Sequence, residues 1–173
     1  MKHLILFFSA AVFLIFAESA VSAQQIVYAD ASAFPLYGKV SEDTDGRYER
    51  LPSHLKTVSR EPVWYLGRNS AGLYIRFRSN STSIHLRWES MFNNSMTHMT
   101  DTGTKGLDLY ALQDGEWRHV CSAQPQGKKS ERAVIRYMDP IEREYMLYLS
   151  LYDGISSLEI GVDEGASLDM PAV

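Results

Sequence analysis

Leu73, Ile75 and Phe77 alternate with Tyr74, Arg76 and Arg78, and a little further on Ile84, Leu86 and Trp88 alternate with His85, Arg87 and Glu89. In an extended chain a period of two sends every second side chain to the same side. Each run therefore buries one face and leaves the other in water, as in an antiparallel sheet. The polar stretch Ser79–Ser83 between the two runs predicts a hairpin. Further runs at Leu107–Leu112, Trp117–Cys121, Ala133–Met138, Tyr145–Leu151 and Ser157–Val162 follow, with Asp114-Gly115 and Asp153-Gly154 placed as hairpin turns. Short strands spaced roughly ten residues apart, with little helical periodicity, predict an all-β fold, an antiparallel, jelly-roll-like β-sandwich. The one stretch that suggests a helix is Pro52–Val58.

The first 23 residues stand apart from this pattern. Lys2 supplies a positive start, Leu4 to Phe16 is apolar except for Ser9, and Val21-Ser22-Ala23 places small residues before a cut ahead of Gln24. That is the layout of a cleaved signal peptide, 1–23, and it implies export to the periplasm or beyond the cell. The apolar run is too short to cross a bilayer, which takes roughly 20 residues. No second apolar span follows, so no membrane span is expected after cleavage. With no repeat, low-complexity tract or linker to divide them, residues 24–173 should form a single sandwich domain.

Charge and cysteine narrow the function classes. A net charge of −4 with 17 basic residues argues against gripping nucleic acid through phosphates. One cysteine, Cys121, excludes an internal disulfide, and its place in an alternating run predicts a small packed hydrophobe. His54, His85, His98 and His119 lack metal-ligand spacing, and Asp43-Thr44-Asp45-Gly46 reads as a solvated turn, so no metal or other cofactor is expected. Asn80-Ser81-Thr82 and Asn93-Asn94-Ser95 are sequons that matter only in a eukaryotic host.

Hydrolytic motifs are missing. There is no G-x-S-x-G elbow, no Gly-Asp-Ser, no Asn-Asp pair and no histidine preceded three residues earlier by aspartate. A Ser-His-Asp set assembled from distant residues stays open at this point. One segment departs from the strand rhythm: Ser90–Lys105 carries three of the seven methionines and His98. A connection this long is either a plain surface loop or a functional one. Trp88 is in phase with the core, whereas Tyr74, Tyr110 and Tyr148 fall out of phase and belong on an exposed face beside Arg76 and Asp108.

Gly106-Leu107-Asp108-Leu109-Tyr110 resembles the GxDLY signature of the β-sandwich domain that precedes the catalytic domain in bacterial SGNH/GDSL-type esterases. Tyr48-Glu49-Arg50-Leu51-Pro52, Arg68-Asn69-Ser70-Ala71-Gly72-Leu73-Tyr74, Glu142–Leu149, Asp153-Gly154 and Leu158-Glu159-Ile160-Gly161 extend the resemblance over most of the chain. Ser150 departs from it where proline is expected, at what should be a strand edge. In that family the catalytic residues lie in a following α/β domain. The resemblance therefore implies a non-catalytic accessory domain of an exported carbohydrate esterase. Its partner would be the SGNH-type catalytic domain in cis or a saccharide, and it would have no catalytic residues of its own.

Candidates for docking or ligand binding are His98, Asp108, Tyr110, Arg76 and Tyr74, with the Ser90–Lys105 loop bordering a substrate cleft. A plain structural account of the signature has Gly106 opening the strand in a conformation other residues resist, Leu107 and Leu109 in the core, and Asp108 capping a turn or pairing with Arg76. The alternatives are an esterase in its own right with a dispersed triad, and a structural remnant of a truncated gene.

Overall fold

A computed structural model describes residues 24–172; the expected signal peptide lies outside them. In chain order the elements are β1 (Ile26–Asp30), a short 3-10 turn at Ala31–Ala33, β2 (Leu36–Tyr37), a 3-10 turn at Ser53–Thr57, α1 (Glu61–Gly67), β3 (Tyr74–Ser79), β4 (Ile84–Ser90), α2 (Asp101–Lys105), β5 (Leu107–Gln113), β6 (Glu116–Ala123), β7 (Lys129–Ile135), β8 (Arg143–Tyr148) and β9 (Ile155–Asp163). They form two antiparallel sheets, β1-β9-β4-β7 and β2-β3-β8-β5-β6. The expected sandwich is present. Its core lies between the sheets: Ile75, Phe77, Leu107, Leu109, Tyr145 and Leu147 of the larger sheet face Ile84, Leu86, Leu158 and Ile160 of the smaller, all at 2% exposure or less.

Two of the three expected hairpins are absent because the chain changes sheet at those points. β3 and β4 lie in different sheets, so Ser79–Ser83 is a crossover. The buried Asp163 carboxylate holds it, accepting from Thr82 N (2.8 Å), Thr82 Oγ1 (2.7 Å), Ser83 N (3.1 Å) and Ser83 Oγ (2.5 Å). β8 and β9 likewise lie in different sheets, and Asp153-Gly154 joins them without a hairpin. Alternation reports which residues share a face, and it carries no information about which strand is the partner. Asp114-Gly115 does turn the β5–β6 hairpin, with positive φ at both residues (53° and 80°).

The helical stretch at Pro52–Val58 appears as the 3-10 turn, whereas α1 and α2 lie where the sequence suggests no helix. α2 sits inside the long Ser90–Lys105 connection, capped by Thr100, whose hydroxyl accepts from Gly103 N.

Candidate functional site

Four of the five candidate residues come together on the outer face of the five-stranded sheet. Register places Tyr37, Tyr74, Tyr148, Asp108 and Ser122 in one row across the strands, and Arg76, Met146, Tyr110 and His119 in the next. The fifth, His98, does not join them: it is exposed on the turn between Met96 and Met99, at the end of the sandwich where the long loop lies.

Aromatic rings pack along these rows. Tyr37 stacks on Tyr74 with centroids 5.2 Å apart, Tyr74 meets Tyr148 at 5.0 Å, and Tyr148 meets Tyr110 edge-on at 5.7 Å. His119 closes the series at 5.4 Å from Tyr110. Neighbouring strands lie about 4.8 Å apart. Rings at nearly that spacing stand up from the sheet and pack side by side, Tyr37 on Tyr74 face to face and Tyr148 on Tyr110 edge to face.

Arg76 pairs with Glu144 through Nε and Nη2, the Nε bond being 2.8 Å, and not with Asp108. Its guanidinium is flanked by Tyr37 (5.7 Å) and Trp117 (5.5 Å). Asp108 instead accepts from Ser122 Oγ at 2.6 Å, and His119 Nε2 lies 3.1 Å from the same hydroxyl. Serine, histidine and aspartate therefore do meet, but in the wrong order for hydrolysis. In a triad the imidazole stands between hydroxyl and carboxylate and takes the hydroxyl proton. Here Ser122 stands in the middle, its proton goes to Asp108, and its oxygen is left to accept from His119.

Sequence reasoning did not place Ser122, Trp117 and His119 on this face. Strict alternation from Cys121, which packs against the core, would send Trp117 and His119 inward. The β5–β6 register slips between Leu109 and Tyr110, with Val120 as the extra residue, and a bulge of this kind turns the residues before it to the other face. The signal could have been Val120 itself, an apolar residue 41% exposed. Burial raises the pKa of Cys121, with the Asp108 charge adding to the effect.

The signature residues have local explanations. Leu107 and Leu109 are fully buried, as expected. Gly106 has an extended backbone, φ −74°, so conformational freedom is not its reason. A β-carbon there would collide with the carbonyl oxygens of Thr102 and Ala123, the latter 2.8 Å away.

A second polar cluster gathers three of the other segments behind the resemblance, Tyr48–Pro52, Arg68–Tyr74 and Asp153-Gly154, at the end of the sandwich that bears His98. Arg68 pairs with the buried Glu49 at 3.1 Å, and Ser70 Oγ donates to the Tyr48 carbonyl while accepting from Ile155 N. Asp153 is fully buried, and its carboxylate accepts from Phe92 N (3.0 Å) and Asn94 N (2.7 Å), which pins the long loop. The buried Lys105 donates to Asn93 Oδ1 at 2.8 Å and pairs with Asp101. Ser150 is fully buried there rather than at an edge, with its hydroxyl on the Lys105 carbonyl. Among the described residues no three of His, Cys, Asp and Glu gather as a metal site requires.

Two antiparallel sheets packed face to face, with aromatic rings along one outer face and a pinned loop at one end, define a β-sandwich domain. The model of the GxDLY family, the N-terminus of SGNH-hydrolase-type esterases, matches residues 26–168, and the chain belongs to that family. Among solved structures it is similar to a GDSL-like lipase from Bacteroides ovatus, with 34% identity and a TM-score of 0.81 over 86% of this chain and 44% of that one. It also shares the fold of the salicylyl-acyltransferase SsfX3 of a tetracycline biosynthetic pathway, with 20% identity and a TM-score of 0.56 over 87% of this chain and 42% of the other. The chain thus spans less than half the length of either relative. No curated protein sequence is significantly similar to it.

Proposed function

We propose that this chain is the non-catalytic accessory domain of an exported SGNH-type esterase, and that its task is to pack against the catalytic domain. The observation that carries the reading is the state of the candidate face. A sugar that binds by stacking needs a ring face turned to solvent. In the series from Tyr37 to Tyr110 the rings lie against one another instead, which favours a structural role for this face over a saccharide platform. The order Asp108–Ser122–His119 supports the same reading against a hydrolase formed by this chain alone. Lys2, the apolar run after it and Ala23 support export.

Purified residues 24–173 incubated with an aryl acetate and with a serine-directed phosphonate test the non-catalytic half of the reading. The expected result is no turnover and no covalent label. A label on Ser122, or on any serine, together with turnover that the phosphonate abolishes, would replace the reading with an enzyme.

A further inference from the structure

Helix α1 reads Glu-Pro-Val-Trp-Tyr-Leu-Gly and is apolar on nearly every side. Helices of that composition are ordinarily buried. Here Val63, Tyr65 and Leu66 are 43%, 40% and 47% exposed, and Leu151 and Tyr152, on the turn after β8, are 48% and 36% exposed.

These residues belong to one surface. The Tyr65 ring lies 4.5 Å from that of Phe92, its hydroxyl bonds Asn94 Oδ1 at 3.1 Å, and Asn94 Nδ2 donates to the Tyr152 carbonyl at 2.9 Å. A hollow of about 530 Å³ opens beside α1, lined by Pro62, Trp64, Tyr65 and Leu66 between Glu61 and Arg68.

The surface is fixed from beneath. Asp153 holds the Phe92–Asn94 segment, and the Glu49–Arg68 pair anchors the end of α1. At Gly154 a β-carbon would meet the Arg68 carbonyl at 2.9 Å and Met91 Cβ at 3.0 Å, so the turn and the loop are packed together. Buried polar groups held this firmly beneath exposed apolar side chains give a preorganised surface, which lowers the ordering cost of association.

We infer that this end of the sandwich, formed by α1, Phe92 and the Leu151–Tyr152 turn, is the surface on which the SGNH-type catalytic domain packs; the inference rests on the accessory-domain reading. The course of the chain identifies the occupant. Asp169 pairs antiparallel with Arg78, and Arg78 Nε donates to the Met170 carbonyl. β3 runs from Tyr74, next to α1, to Ser79. A strand antiparallel to it is therefore travelling toward the α1 end when it reaches Met170. A domain joined beyond Val173 is led to the exposed apolar surface, and in both solved relatives more than half of the chain lies outside the matched region.

Hydroxyl-radical footprinting tests this in two proteins, residues 24–173 alone and the same residues replacing the matched part of the Bacteroides ovatus lipase. In the fusion, labelling of Tyr65, Phe92 and Tyr152 is expected to fall to the level of the buried Tyr145, while Tyr137, 94% exposed, stays unchanged. Leu66→Asp should abolish that protection, since a central apolar anchor carries about 30-fold in affinity. It should leave the melting of the isolated domain unaltered. Protection at Tyr37, Tyr74 and Trp117 in place of the α1 end would overturn the surface and keep the accessory reading. No protection anywhere would overturn both. Concentration-dependent shielding of Tyr65 in the isolated domain would identify a second copy of this chain as the occupant, against the inference.

Discussion

Replacing Asp163 by alanine removes the anchor of the crossover between the two sheets. Four hydrogen bonds end on its carboxylate, two from Thr82 and two from Ser83. Thr82 is partly exposed, so water can take over its donors; Ser83 is 9% exposed, its hydroxyl would be left without a partner and its N–H would keep only the long 3.4 Å contact to Ser81 Oγ. At about 1.5 kcal/mol for each bond to a charged group, the loss is roughly 3 kcal/mol. For a domain of this size that lowers the melting temperature by about 6–12 °C.

Asp163→Asn keeps an acceptor for three of the four bonds and should cost about 1 kcal/mol. The pH dependence follows from the same geometry. Burial pushes the Asp163 carboxyl up, but the hydrogen bonds from Ser83 and Thr82 outweigh it and hold the pKa below its ordinary value. A folded-state pKa below the unfolded one gives stability that is fully present above the ordinary aspartate range and is lost as pH falls through the folded value. Urea unfolding of the wild type should therefore weaken in acid below about pH 4, and Asp163→Asn should lack that part of the slope. An Asp163→Ala loss under 1 kcal/mol, or an acid slope unchanged in Asp163→Asn, would refute the reasoning.

Gly106→Ala should destabilise the domain by about 2–3 kcal/mol, because the new methyl meets two backbone carbonyls that cannot rotate away; a urea midpoint equal to wild type would contradict this. Arg76→Ala leaves the Glu144 side chain, 7% exposed, without its cation and should cost about 2 kcal/mol, less than a fully buried pair because Arg76 is itself 28% exposed. Adding Glu144→Gln to that variant should recover part of the loss, and a purely additive double mutant would deny the coupling. The raised pKa of Cys121 predicts slow reaction with a disulfide reagent at neutral pH, and the rate of a free peptide thiol only after denaturation; labelling at the peptide rate in the folded state would show an open thiol.

Much of the sandwich was legible in the sequence because burial and alternation are one statement in two forms. Ile75 and Phe77 face inward and Tyr74 and Arg76 outward for the same reason that they alternate. Partner choice was not legible. The crossover at Ser79–Ser83 is held by Asp163, whose position lies far along the chain. The bulge at Val120 brings His119 and Ser122 together against the local pattern, so the Asp108–Ser122–His119 chain had no sequence signal beyond an exposed valine. The clustering of Tyr74, Arg76, Asp108 and Tyr110 could be read, since all four are out of phase with the core. The pairing of Arg76 could not, because Glu144 reaches it through the β3–β8 register. The exposed α1 was hidden for a different reason: seven residues are too few for helical periodicity to register.

Calorimetric unfolding of residues 24–173, alone and fused in place of the matched region of the Bacteroides ovatus lipase, tests the accessory role most directly. A domain built to pack against an SGNH-type catalytic unit should melt with it in a single transition, at a higher temperature than it does alone. Two separate transitions, with the sandwich melting at the temperature of the isolated domain, would contradict the account.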